Sequence, residues 1–285
     1  MKNNRLIKEK IIFSFIRMAA FFSAITLVLI IGYVFVRGFR VVDWQFLSQE
    51  VQQRDITKGG ILQAIVGTIY LGIGTFLIAV PAGISSAIFL NEYIPDTRIS
   101  RVIRIAIRNL AGVPSIVYGL FGLAVFVQFF NLRTSLLSAI LTLSSMTLPW
   151  IITASEESLK AVPFEFREAA IAMGATKWQT IKKIVIPHSL PGMITGSVLG
   201  LSRALGETAP IILVGATFYC HNLPTSVFDK FMALPYHLFI LATQHAHPQA
   251  HEYALGTAIV LIAIIYLMSL TAIIIRYHFR KKKNA

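Results

Sequence analysis

Six apolar runs, separated by short polar or basic segments and long enough to cross a bilayer as helices, constrain this chain more than any other feature. In lipid every backbone N–H and C=O must be satisfied internally, so such runs fold as helices and the chain as an all-α membrane protein. The 55% hydrophobic composition, 14% charge and mean hydropathy of +0.69 support that class, because a soluble core would not need so much apolar sequence. The formal charge of +13 raises nucleic acid as a partner. Its basic residues lie beside the apolar runs with no basic groove or interleaved aromatics, so no nucleic acid is expected. The single cysteine, Cys220, permits neither an internal disulfide nor a paired-cysteine metal site.

The first run, about 18–36, follows Lys2, Arg5, Lys8 and Lys10 and mimics a signal peptide. It is too long for a typical signal core and is followed by no convincing small-residue cleavage site, so it reads as an uncleaved span. With the polar connection that follows, it makes an N-terminal unit, 1–60, ahead of a main domain, 61–276. The second run, 61–90, would be about 45 Å long as a helix against a hydrocarbon core of about 30 Å. It must therefore tilt, kink at Pro81 or project. Arg98, Arg101, Arg104 and Arg108 then recur every three or four residues, which predicts an amphipathic helix with a basic face suited to a membrane surface. Further spans are expected at about 110–130, 135–154, 190–219 and 253–275. A loop at 155–188, a longer polar segment at 220–252 and a basic tail at 277–285 lie between and after them.

Orientation follows from counting Lys and Arg. Nineteen lie on the side that holds both termini, the Arg98–Arg108 segment and the 155–188 loop, against six on the other. The positive-inside rule puts those nineteen in the cytoplasm.

The 155–188 loop carries the longest charged interruption, EAAIAMGATKWQTIKKIVIP from Glu168 to Pro187. Good helix formers from Glu165 to Met173 predict one helix with Gly174 as its C-terminal stop. Thr176 caps a second, whose apolar residues Trp178, Ile181 and Ile184 recur every three, and Pro187 is expected to end it. A solvated inter-span loop and a docking surface are both compatible with this pattern.

In the fifth run Arg203 and Glu207 stand four residues apart on one helical face. Each would cost about 2.5 to 3.5 kcal/mol if left unpaired at the centre of a span, so they must face protein or water. Counted from Ser189 at about 1.5 Å per residue, both fall in the outer half of the membrane. One reading is a self-neutralising structural pair. The other is an oxyanion path, with Arg203 as a planar donor, Glu207 orienting it, and Ser202 and Thr208 adding hydroxyls. Gly192, Gly196 and Gly200 form a small-residue ridge for close helix packing, within the bundle or on a partner. The three histidines of HAHPQAH, His245–His251, offer no fourth ligand, so a polar docking loop is preferred and no metal site is expected.

The spacing of Glu168-Ala169-Ala170, Gly174 and Ile184-Val185-Ile186-Pro187 resembles the EAA loop of permease subunits in bacterial ABC importers. Four stretches sharpen the likeness to the PstA permeases of phosphate-specific importers: NLAGVPSIVYGLFGLAVFV (Asn109–Val127), SSMTLPWIITASEESLKAVP (Ser144–Pro163), REAAIAMGATKWQTI (Arg167–Ile181) and SRALGETAPIILVGA (Ser202–Ala216). The resemblance covers roughly residues 60–275. It implies a six-helix, MetI-like type I ABC importer permease fold, with Glu168, Ala169, Ala170 and Gly174 docking on an ATPase. It further implies that phosphate passes near Arg203, Glu207, Thr208 and Ser202. The implied partners are a PstC-like second permease, a PstB-like ATPase dimer and a PstS-like phosphate-binding protein. No Walker A pattern occurs, so ATP and Mg²⁺ are expected on the ATPase and no cofactor in this chain. A permease for molybdate, sulfate or phosphonate would share Arg203. A non-transporting scaffold or sensor would gain little from two intramembrane charges.

Overall fold

The structure, a computed structural model, describes residues 2–52, 59–220, 222–244 and 247–281. Its described residues are built of helices, five of them long and apolar enough to cross a membrane, or six if the bent pair Arg98–Leu110 and Ser115–Phe129 counts as one span. The long helix α1 (Lys2–Gly38) is exposed from Lys10 to Tyr33, and reaches the bundle where Gly38 backs onto Leu255 and Ile259. A short helix α2 (Trp44–Ser48), capped by the Asp43 carboxylate accepting from the Phe46 N–H at 2.7 Å, tucks Phe46 into the core.

The centre of the bundle is α3 (Leu62–Ile88), which runs through Pro81 and ends in a wide π turn, Phe89–Tyr93. The combined 32 residues span about 48 Å, so this helix projects beyond the hydrocarbon on at least one side. Next, α4 (Arg98–Leu110) starts at a capping box between Thr97 and Ser100. It meets α5 (Ser115–Gly122), which continues as a π-helical stretch Leu123–Phe129, at about 100°. The straight span expected at 110–130 is therefore shorter, Ser115–Phe129 or about 22 Å, because the Ala111–Pro114 corner turns the chain before it enters the bundle.

From Ser135, whose side chain caps its first turn, α6 (Leu136–Lys160) returns along α3. The loop helices α7 (Phe164–Ala172) and α8 (Lys177–Thr180) follow. Pro187 does not end the second helix. A π turn at Ile181–Val185 carries the helix into α9 (Ile186–Leu205), and this widened turn accommodates Pro187 with its missing N–H. Lys177–Leu205 is one continuous span.

The fifth span also stops early, at Leu205 rather than near 219; Gly206–Thr208 breaks it and α10 (Ala209–Val214) turns away. The space above is filled by the segment expected to be a polar loop. Phe231, Met232, Ala233 and Leu234 are fully buried, Phe231 accepts a hydrogen bond from the Thr217 N–H at 2.9 Å, and the Leu234 N–H donates to Thr68 Oγ1 at 2.9 Å. A ten-residue helix α11 (Leu234–Thr243) leads on to α12 (Ala250–Lys281). The Asp229 carboxylate, accepting from the Ser226 and Thr225 N–H groups, is held below the usual carboxylate range first by the Ser226 bond, and fixes the turn ahead of this segment.

The small-residue ridge packs within the chain. A Cβ at Gly192 would overlap Ser158, and one at Gly196 would overlap Ala154, so the ridge seats α9 against α6. Replacing Gly196 by Leu is expected to wedge the two helices apart and destabilise the protein by about 1 to 3 kcal/mol. Thermal unfolding of the purified chain in detergent measures this. Gly196→Ala paired with Ala154→Gly should recover most of the loss.

Candidate functional site

The loop helices form the first site. Gly174 has φ +83°, a conformation that favours glycine, and the Gly174 and Ala175 N–H groups donate to the Ile171 and Ala170 carbonyls. This closes α7 as a Schellman turn, as the sequence predicts. Thr176 and Gln179 form a capping box that starts α8. Glu168, Ala169 and Gly174 are exposed, whereas Ala170 is buried within the chain, so the small face of the motif is split between outside and core. Around Glu168, Phe164, Ile171, Met173 and Trp178 are each more than half exposed, an apolar surface of the kind that proteins bind.

Behind this surface lies an ionic frame that the sequence reading missed. Arg167 donates to the Val162 carbonyl at 2.7 Å and the Leu159 carbonyl at 2.9 Å, which satisfies the C-terminal end of α6, and pairs with Glu92 at 3.1 Å. Arg104 donates to the Leu90 carbonyl at 2.7 Å and pairs with Glu156 at 3.1 Å, while Lys160 reaches the same carboxylate at 2.6 Å. Both clusters end on the π turn after α3. They tie α7, α4 and α6 to it. Arg104 therefore leaves the basic face that its spacing predicted and turns into the protein. Glu156, i−4 to Lys160 at the end of an apolar run, was the legible clue.

The second site is built on the end of α9. Arg203 lies over the Trp150 ring at 4.8 Å from its centroid, and its Nε is 3.7 Å from Glu207 Oε1. The Arg203 side chain is 53% exposed and that of Glu207 18%. Ser202 does not join them: its hydroxyl is 2.9 Å from that of Ser269 on α12. Thr208 stands at the start of α10 with no side-chain capping bond.

The depth of the pair differs from the expectation. Trp150 lies fourteen residues after Leu136 and ten before Lys160 on α6, about 21 Å and 15 Å from its ends, so Arg203 stands level with the middle of the bundle. The count along the fifth span alone gave the outer half; the neighbouring Trp150 on α6 sets the level of Arg203, and the helix stops two residues later at Leu205. An exposed guanidinium at mid-depth cannot face hydrocarbon. The surface around Arg203 and Trp150 is covered by another protein or by water.

Of the histidines, His245 lies outside the described residues. Among the described residues, no group of three His, Cys, Asp or Glu is placed to hold a metal ion.

This helical bundle, with a capped two-helix loop on one side and a broken span at its centre, is the architecture of an importer's membrane subunit. Residues 79–284 match the family described as binding-protein-dependent transport system inner membrane component, and the chain belongs to it. It is a multi-pass inner-membrane permease subunit of an ABC importer, in which ATP hydrolysis belongs to a separate subunit. Among curated relatives, the "Phosphate transport system permease protein PstA 1" of Mycobacterium tuberculosis (strain ATCC 25618 / H37Rv) is 34% identical, covering 98% of this chain and 91% of its own length. The "Probable ABC transporter permease protein YqgI" of Bacillus subtilis (strain 168) is 29% identical over 94% of this chain and 95% of its own. Among solved structures, a bacterial ABC transporter involved in the import of alginate superposes with a TM-score of 0.66 at 15% identity, covering 95% of this chain and 98% of that one. The inward-facing MetNI methionine ABC transporter gives 0.60 at 19% identity, covering 77% and 94%. Both show the MetI-like type I fold that the sequence predicted.

Proposed function

We propose that this chain is the permease subunit of an ATP-driven importer of inorganic phosphate. Arg203 carries the reading: an exposed guanidinium at mid-depth, stacked on Trp150 and only loosely paired with Glu207, keeps donor edges open to an oxyanion. The near-full-length similarity to phosphate permeases supports phosphate among the oxyanions. Glu207 limits the field of the arginine, and Thr208 adds a hydroxyl beside it. A PstC-like permease supplies the facing half of the path. A PstS-like protein delivers phosphate from outside, and a PstB-like ATPase dimer, carrying ATP and Mg²⁺, receives the Glu168 loop on the cytoplasmic side together with both termini. ATPase closure pushes the loop, and the Arg167–Glu92 and Arg104–Glu156 pairs pass that displacement to α3, α4 and α6.

Labelled phosphate uptake in cells expressing the whole system tests this. Arsenate is expected to compete, and sulfate and molybdate are not. Displacement by sulfate or molybdate in place of arsenate would assign the chain to another oxyanion. Glu168→Lys is expected to lower both ATPase co-purification and uptake by about tenfold or more, because reversing an exposed charge at a docking surface costs several kcal/mol. The helix itself should persist, since Glu168 is exposed and Lys is an equally good helix former.

A further inference from the structure

We propose that α4 is a seat for anionic phospholipid, with Arg98, Arg101 and Arg108 holding headgroups and the apolar side of the helix lying among the acyl chains. The helix touches the rest of the chain along a narrow strip. Ser100 is fully buried, Arg104 reaches Leu90 and Glu156, and Ile107 is half-buried beside them. On the adjoining side Ile99 is 73% exposed, Val102 65% and Ile103 38%, with Ala106 and Leu110 continuing the stripe. At about 100° per residue these apolar positions centre a little under a third of a turn from the protein contact. A helix that is apolar away from its own protein, in a chain that spans a membrane, lies in the interface with that side down.

The charges decide which lipid. Arg98, Arg101 and Arg108 are exposed and make the polar side of the helix, Arg98 near the edge of the apolar stripe and Arg101 and Arg108 facing away from it, and the corner that sets α4 at about 100° to α5 lays the helix across the direction of the bundle. Arg101 has a loose, exposed partner in Asp96 at 3.6 Å, and the structure pairs neither Arg98 nor Arg108 with a carboxylate among the described residues. Three guanidiniums on the polar side of a helix whose exposed apolar stripe enters the interface favour phosphatidylglycerol over phosphatidylcholine, since each basic residue near an anionic surface contributes about 1 kcal/mol. Because Arg104 of the same helix pairs with Glu156 behind the Glu168 loop, lipid held here would steady the frame on which that loop sits.

The test places a fluorescent probe at Val102→Cys in a Cys220→Ser background, with the full chain reconstituted into phosphatidylcholine membranes containing phosphatidylglycerol. A brominated acyl chain is carried by one lipid or the other at matched mole fraction. Phosphatidylglycerol is expected to quench several-fold more effectively than phosphatidylcholine. The triple variant Arg98→Gln, Arg101→Gln, Arg108→Gln should quench equally with both, while a triple Lys variant keeps the preference and shows that folding is intact. Equal quenching in the unsubstituted arginine protein would overturn the proposal. So would absence of quenching by either lipid, which would mean that a protein partner covers this side. Loss of the preference on adding inorganic phosphate would assign the arginines to the free anion instead. None of these readouts depends on which solute the importer carries.

Discussion

Arg203→Gln is expected to lower phosphate uptake by about a hundredfold while the ATPase still co-purifies with the chain. A guanidinium that meets an oxyanion with charge-assisted hydrogen bonds supplies about 2 to 3 kcal/mol, and Gln offers one neutral amide in its place. The substitution is unlike a core mutation, because the Arg203 side chain is 53% exposed and Gln keeps an apolar stem over Trp150. Arg203→Lys should fall between the two, retaining the charge but losing the planar fork and much of the stacking. Initial uptake rates against external phosphate, normalised to membrane abundance, measure the effect. Unchanged transport by Arg203→Gln would make the Arg203–Glu207 pair structural and move the anion path elsewhere. Glu207→Gln, which frees Arg203 from its 3.7 Å partner, then discriminates further: on the anion-path reading it changes affinity for phosphate, and on the structural reading it changes stability alone.

Glu156→Ala is expected to cost about 3 kcal/mol and to release the Glu168 loop without touching it. Glu156 is 4% exposed, and its carboxylate holds both Arg104 and Lys160. Removing it leaves Arg104 with only the Leu90 carbonyl, and an uncompensated buried charge is what makes broken buried pairs costly. Lys160 adds little, since it is 44% exposed and finds water. The expected signature is a lower unfolding temperature together with faster proteolysis between Val162 and Ile181, while Arg203→Gln leaves both unchanged. The double variant Arg104→Met, Glu156→Met should recover the unfolding temperature, because an apolar pair of similar volume carries no desolvation penalty. If it also recovers ATPase binding but not uptake, the ionic frame transmits motion in addition to holding shape.

The Glu168 loop was legible down to single residues. Gly174 as a positive-φ stop and Thr176 as a cap are local features, set by glycine's freedom and by a side-chain oxygen three residues from an N–H, and both stand where the sequence placed them. The ionic frame behind it was not legible in the same way. Glu92 and Arg167 are separated by seventy-five positions, and Glu156 and Arg104 by fifty-two, so no periodicity links them. Arg104 illustrates the difficulty. Its spacing with Arg98, Arg101 and Arg108 is that of one basic side, and only the packing of α4 against α6 selects it as the member that turns inward.

What the sequence by itself determined is the class: apolar runs of bilayer length force helices, and capping residues fix the loop. What only the tertiary structure decided is depth and partnership. The fifth span stops at Leu205 with Phe231–Leu234 buried in the core, and Arg203 stacks on Trp150 of α6, level with the middle of the bundle. Hydropathy cannot register this, because a broken span and a straight one bury the same apolar residues. The difference lies in which backbone groups find partners across the fold, as when the Leu234 N–H finds Thr68, 166 positions away.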